Sequence, residues 1–169
     1  MNTIKAGIIG FGYMGHFHLN KARQLEGLDV VSAYDIDAEK RADAANEGLT
    51  VYDTLESFLA DETISLVFIC TPNNVHAELA IASLQAGKHV MCEKPMAINS
   101  AEAKKMLDAA KRTGKKLTIG YQSRFRQDSM YLKKVCENGE LGDIYYARAQ
   151  AIRRRAVPTW GVFLDAENQ

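Results

Sequence analysis

Short, unbroken apolar runs alternate along the chain with longer stretches in which apolar residues recur at helical spacing. The short runs cover residues 3–9, 29–34, 65–70, 88–92 and 116–120, and each is bounded by Gly, Asp or Pro. Continuous rather than alternating apolar character is what a strand covered on both faces requires. The longer stretches, residues 13–26, 38–47, 55–60, 75–86 and 101–113, read as helices. Within one of them Val75, Leu79, Ala82 and Ala86 fall on a single stripe. Asn99 or Ser100 is placed to cap the last of these helices, and Gly114 to stop it. Strand and helix alternating in this way predict an α/β fold, a Rossmann-type doubly wound parallel sheet with right-handed crossovers.

The pattern changes after Gly120. Residues 128–138 read as a helix stopped by Gly139, and residues 143–153 as a strand. Residues 157–169 complete no element. A tail of about 50 residues is too short to close a core of its own. The expected organisation is a dinucleotide-binding domain over residues 1–120, with residues 121–169 beginning a second α+β domain.

Composition narrows the function classes. The 169 residues carry 21 basic and 21 acidic side chains, a formal net charge of zero. Nothing in that balance points to nucleic acid or a membrane surface. No run approaches the ~20 apolar residues of a spanning helix. The three cysteines, Cys70, Cys92 and Cys136, are widely separated and form no metal-type pair. They suit a reducing compartment, and the reading is a cytoplasmic protein with no metal. Arg153, Arg154 and Arg155 form a basic cluster, read as a solvated strand end rather than a nucleic-acid contact.

The chemistry concentrates at strand ends. Gly10-Phe11-Gly12-Tyr13-Met14-Gly15 leaves the first strand and opens a helix. Gly10 permits a tight turn, Gly12 lets the backbone approach a pyrophosphate, and Gly15 lets helix and strand pack closely. Asp35, at the end of the second strand, is placed to accept bonds from adenosine ribose hydroxyls and to repel a 2′-phosphate. Ile36 beside it offers no cation, so NAD is favoured over NADP. Lys40 and Arg41 are near enough to leave NADP use open, and Asp37 is better suited to capping the next helix.

The fourth run ends in Cys70-Thr71-Pro72-Asn73-Asn74-Val75-His76, and the fifth in Cys92-Glu93-Lys94-Pro95. Both ends fall at the carboxyl edge of the sheet, where open α/β folds bind ligands. Glu93-Lys94-Pro95 after a buried strand puts a charged lysine at the floor of a cleft there.

Taken together, Gly10–Gly15 with His18, Thr71-Pro72 with His76, Glu93-Lys94-Pro95 and the stretch from Gly120 to Phe125 resemble the Gfo/Idh/MocA oxidoreductases in order and spacing. The resemblance implies hydride transfer between a nicotinamide cofactor and a hydroxyl carbon of a sugar, inositol or related polyol. It implies that Lys94 is catalytic and touches substrate, with Glu93 and Pro95 positioning it. It implies that Cys70, Thr71, Pro72, Asn73, His76, Glu93 and Lys94 line the cofactor. Gln122 and Arg124 would approach nicotinamide or substrate, and the stretch around Trp160 would run across the cofactor. The family completes its site with an Asp and a His from its second domain. None of the four histidines here replaces them, so the sequence reads as the N-terminal portion of an enzyme that is a homo-oligomer at full length. The alternatives are a dinucleotide-binding or sensing module without turnover, and an interaction role for the segment starting at Asp143.

Overall fold

The computed structural model describes residues 3–152 and residue 154. The chain divides into two units, one ending at Gly120 and the other starting at Tyr121. The first is a six-stranded sheet built from β1 (Ile4–Ile9), β2 (Leu28–Tyr34), β3 (Thr50–Val51), β4 (Leu66–Ile69), β5 (His89–Cys92) and β6 (Leu117–Ile119). Its strand order is β3-β2-β1-β4-β5-β6, and every pairing is parallel. That order reverses direction between β1 and β4, which opens a crevice at their carboxyl ends.

Helices α1 (Tyr13–Ala22), α2 (Ala38–Asn46), α3 (Leu55–Ala60), α4 (His76–Gln85) and α5 (Ser100–Thr113) connect the strands. Successive strand residues face opposite ways, and the core divides accordingly. Ile8, Phe68 and Val30 pack with Leu19 and Ala22 of α1 and Ala44 of α2. Ile9, Val67, Ile69 and Val90 pack with Phe58, Leu84 and Met106 of α3, α4 and α5. Both faces of the sheet are covered, as the unbroken apolar runs require.

Asn99 caps α5 by accepting from the Glu102 N–H at 2.9 Å, and Gly114 ends that helix at φ +68°. Two features differ from the sequence expectation. Strand β3 is only two residues long and exposed at the sheet edge, too short to leave an apolar run. Residues 143–152, expected as a strand, are exposed and lie in no ladder. A lone strand leaves its N–H and C=O groups without partners and is not stable by itself. In the second unit a short 3-10 turn (Gln122–Phe125) precedes α6 (Gln127–Glu137), which buries none of its residues.

At the far end of the sheet Asp61 ties three segments together. Its carboxylate accepts from the Tyr52 hydroxyl at 2.7 Å and the Thr63 N–H at 2.8 Å. Its carbonyl accepts from the Lys88 ammonium at 2.6 Å. Burial raises the Asp61 pKa, but the bonds from Tyr52 and Thr63 and the Lys88 charge outweigh it, leaving Asp61 below the ordinary aspartate range. A carboxylate depressed in the folded state stabilises above its unfolded pKa of about 3.9, and the contribution disappears as pH falls through the folded value. Asp61→Asn is therefore expected to lower the urea midpoint at pH 7, and the gap to the parent should narrow as pH falls below about 4. A gap that stays constant with pH would remove the charge of Asp61 from the account.

Candidate functional site

The crevice is built by the glycine turn. Gly10 has φ +90°, and a Cβ there would meet the Cys70 carbonyl group and the Thr71 side chain at 2.9 Å. Only glycine allows both the turn and this approach to the end of β4. A Cβ on Gly15 would sit 2.5 Å from the Gly10 oxygen, so α1 lies directly on the turn. A Cβ on Gly12 would find only the Lys40 ammonium, at 3.9 Å. The space over Gly12 is open.

Helix α1 starts on that open space with no side-chain cap and no acidic residue in its first turn. By contrast α2, α3 and α5 are capped by Asp37, Thr54 and Asn99. The first turn of α1 thus offers N–H groups and positive dipole with no side-chain cap among the described residues to receive them.

Asp35 is 8% exposed. Its carboxylate accepts from the Phe11 N–H at 2.7 Å and from the Asp37 N–H at 2.9 Å. The acid therefore braces the glycine turn as well as facing the crevice. An ionised carboxylate has about four lone-pair positions, so these two bonds leave capacity for ligand hydroxyls. Arg41, considered for a phosphate, is committed elsewhere: its guanidinium donates to the Asp35 and Ile36 carbonyls at 2.9 and 3.1 Å.

These groups enclose a cleft of ≈ 550 Å³ lined by Gly10, Gly12, Asp35, Ile36, Thr71 and Pro72, among others. Its volume lies within the range of small-molecule sites. The Thr71 hydroxyl oxygen is buried without a hydrogen-bond partner among the described residues, and a ligand group would supply one. Open space at Gly12, an uncapped helix start, an acid lining the cleft and a hydroxyl unpartnered among the described residues together fit a dinucleotide.

Several expected site residues take other places. Phe11 sends its ring into the core, 1% exposed, and gives its N–H to Asp35. Tyr13 is exposed, and Met14 and Asn73 lie outside the cleft lining. His76, expected to line the cleft, is instead fully buried. Its ring nitrogens lie 2.8 Å from the Pro95 carbonyl oxygen and 2.9 Å from that of Thr71. A neutral imidazole donates to one of these acceptors, a doubly protonated ring to both. Gln122 and Arg124 belong to the 3-10 turn of the second unit, and Trp160 lies outside the described residues. Lys40, Asn74 of the stretch after β4, Tyr34, Leu55, Glu78 and Leu79 also line the cleft. No motif points to the last four, although Leu79 continues the Val75 stripe.

Glu93, Lys94 and Pro95 follow β5. Glu93 is buried, and its carboxylate accepts from the His18 ring at 2.8 Å and from the Lys94 backbone N–H at 3.2 Å. Burial pushes Glu93 up, but the bond and charge of His18, with Lys94, hold it below the usual glutamate range. Lys94 is exposed. Among the described residues its ammonium makes no hydrogen bond or ion pair. The Cys70 and Cys92 thiols are pushed up by burial and then by the Glu93 charge, Cys92 to about 12. They are inert thiols at neutral pH.

Fold, turn and acid define an α/β dinucleotide-binding domain. Residues 4–121 match the family model GFO_IDH_MocA, described as an oxidoreductase family with the NAD-binding Rossmann fold. The chain is 34% identical to the D-glucoside 3-dehydrogenase of Escherichia coli (strain K12), over 99% of this chain and 49% of that protein. It is 32% identical to the inositol 2-dehydrogenase of Salmonella paratyphi B, over 94% and 48% respectively. The crystal structure of the WlbA dehydrogenase from Bordetella pertussis, in complex with NADH and UDP-GlcNAcA, superposes with a TM-score of 0.80 at 30% identity, covering 85% of this chain and 42% of that one. The chain belongs to the Gfo/Idh/MocA oxidoreductase family and carries its NAD-binding Rossmann fold. It spans about half the length of the curated relatives it matches.

Proposed function

We propose that this chain supplies the cofactor-holding part of an NAD-dependent dehydrogenase acting on a hydroxyl carbon of a sugar, inositol or related polyol. The observation that carries the reading is the crevice in which the open glycine turn and the buried Asp35 carboxylate meet. Lys94 stands at the same carboxyl edge of the sheet. In this reading Gly10, Gly12 and Gly15 shape the pyrophosphate site, and the start of α1 receives the phosphate charge. Asp35 takes the adenosine ribose, while Ile36, Cys70, Thr71 and Pro72 form the walls. When bound, the nicotinamide supplies the hydride acceptor or donor. Lys94 moves the hydroxyl proton, and Gln122 and Arg124 belong to the substrate side, with Trp160 near the cofactor. Residues 1–120 form the cofactor domain, and residues 121–169 begin the domain that brings substrate and subunit contacts. The free thiols of Cys70, Cys92 and Cys136 support a cytoplasmic setting.

Calorimetric titration of the 169-residue chain with NAD and NADP tests the cofactor site. NAD is expected to bind more tightly by about tenfold or more, the scale of one charged hydrogen bond exchanged for a repulsion. Because Asp35 also braces the Phe11 and Asp37 N–H groups, its variants should separate two effects. Phe11 and Asp37 bond different oxygens of the carboxylate. Asp35→Asn, with one acceptor oxygen, should therefore keep one brace, reduce the NAD preference and weaken cofactor binding less than Asp35→Ala, which should weaken both cofactors. Equal or reversed preference in the parent would remove Asp35 from the ribose. On the same preparation, NADH formation from a panel of polyols and glycosides should be absent or slight. Hydride transfer also needs a substrate held against the nicotinamide and screened from water.

A further inference from the structure

We propose that His18 is a positioning residue for Lys94, acting through Glu93, and that His76 holds the other side of the same triplet. The inference rests on Lys94 being the proton-transfer group.

The Glu93-Lys94-Pro95 segment leaves the sheet at its carboxyl edge, where an exposed loop would otherwise be free to move. Its flanking residues are both tied down from other elements. His18 projects from α1, the helix that opens on the glycine turn, and its Nε2 meets Glu93 Oε1 at 2.8 Å with both side chains nearly buried, 12% and 10% exposed. The His18 ring is itself fixed, stacked on Phe68 of β4 with centroids 5.4 Å apart and edge-on to Phe17 at 5.5 Å. The second carboxylate oxygen, Oε2, accepts from the Lys94 backbone N–H. One carboxylate thus links the His18 ring to the Lys94 main chain. Gly120 leaves room for it: a Cβ there would lie 3.1 Å from Glu93 Oε1, a tight contact from which the carboxylate would have to shift. On the other side, the buried His76 ring holds the Pro95 carbonyl at 2.8 Å and the Thr71 carbonyl at 2.9 Å, joining the loop after β5 to the loop after β4. The triplet is held at both ends, while the Lys94 ammonium between them is unpaired among the described residues.

The electrostatics favour the same arrangement. The groups that act on the Glu93 carboxylate are His18 from α1 and Lys94 beside it; the Cys92 and Cys70 thiols feel the Glu93 charge and are pushed up by it. The two thiols are neutral, so His18 is the partner from another element that keeps a buried carboxylate ionised. Without it, burial would favour the protonated acid. A protonated Glu93 would lose acceptor capacity toward the Lys94 N–H.

The test is NMR on the 169-residue chain, following the Glu93 side-chain carboxyl and the Lys94 amide through a pH titration. In the parent, Glu93 is expected to titrate below the ordinary glutamate range and the Lys94 amide to shift with it. In His18→Ala the Glu93 titration should move up by about one unit or more, and the Lys94 amide should lose its exchange protection. His18→Gln, which retains an N–H donor, should restore most of the Lys94 amide signature. His76→Gln should disturb the Pro95 side of the loop while leaving the Glu93 titration in place. A merely structural His18 would change melting temperature without moving the Glu93 titration. An unmoved Glu93 and Lys94 in a folded His18→Ala would overturn the proposal. NAD titration of the same samples keeps the two readings apart. Loss of NAD binding by the parent would strike the cofactor reading, whereas the His18–Glu93–Lys94 coupling is read without cofactor.

Discussion

Gly15→Ala should cost the chain both stability and cofactor, whereas Gly12→Ala should cost it cofactor alone. The difference lies in what each added methyl would meet. At Gly15 it would fall 2.5 Å from the Gly10 carbonyl oxygen and 3.4 Å from the Phe11 ring. The oxygen is main chain in a turn already constrained by φ +90° at Gly10, and it cannot swing aside as a side chain could. Either α1 lifts from β1 or the turn opens. A forced overlap of this kind costs about 1–3 kcal/mol, and both movements misplace the first turn of α1. The Phe11 N–H, drawn toward Asp35 at 2.7 Å, would be pulled from its acceptor as well. NAD affinity should fall by about a hundredfold or more, with a lower melting temperature. At Gly12 the methyl meets nothing closer than the Lys40 ammonium at 3.9 Å, and φ is −88°, open to any residue. The Gly12→Ala protein should unfold within about 1 kcal/mol of the parent, the usual scale for an N-cap change from glycine. It should nevertheless fail to bind NAD, because the methyl stands in the pyrophosphate's path. Thermal melts paired with NAD titration decide the matter. A Gly12→Ala protein that binds NAD normally would move the pyrophosphate away from this turn.

How far the sequence carried these features depended on the range of the interaction behind each. The glycine turn, the Asn99 cap and the Gly114 stop are local and are legible as residue types at fixed offsets. The buried strands are legible because both faces need apolar residues. Strand β3 escapes because Thr50–Val51 leaves no run to detect and its place is set by its neighbour, Ser32 and Ala33 of β2. The 143–153 stretch misleads because alternating Ile144, Tyr146, Ala149 and Ala151 describe a strand's faces but say nothing of a partner. The site shows the same division. Gly10, Gly12, Asp35 and Thr71 are placed by motif, and they meet in one cleft. The brace from Phe11 to Asp35 spans 24 positions, and the His18–Glu93 bond spans 75. Neither is visible in spacing along the chain, since both come from the order in which the strands assemble. His76 shows the converse. Its position beside Thr71 and Pro72 suggests the cofactor, but its burial makes it a support for the wall behind.

Lys94→Ala, made in the longest natural chain that carries this sequence, should reduce turnover by about a hundredfold or more while leaving NAD affinity within about threefold. The reasoning starts from the order of bond changes at an alcohol carbon. The hydroxyl proton must leave as the hydride does, and water is a poor acceptor in a closed site. Lys94 stands at the carboxyl edge of the sheet with its ammonium free of hydrogen bonds and ion pairs among the described residues. Its neighbour Glu93 is buried and held below the usual glutamate range by His18 and Lys94, which makes it a weak proton acceptor. Lys94→Arg should not rescue the loss, because a guanidinium stays protonated throughout the working range and cannot accept a proton. Since Lys94 is absent from the lining of the cleft that holds Gly12 and Asp35, its removal should act on kcat far more than on NAD binding. The measurement is the pH profile of NADH formation for the parent, Lys94→Ala and Lys94→Arg, with NAD titrations alongside. A parent-like kcat in the alanine variant across the profile would place the proton-transfer group elsewhere. A large loss of NAD affinity without loss of kcat would make Lys94 a cofactor-binding residue instead.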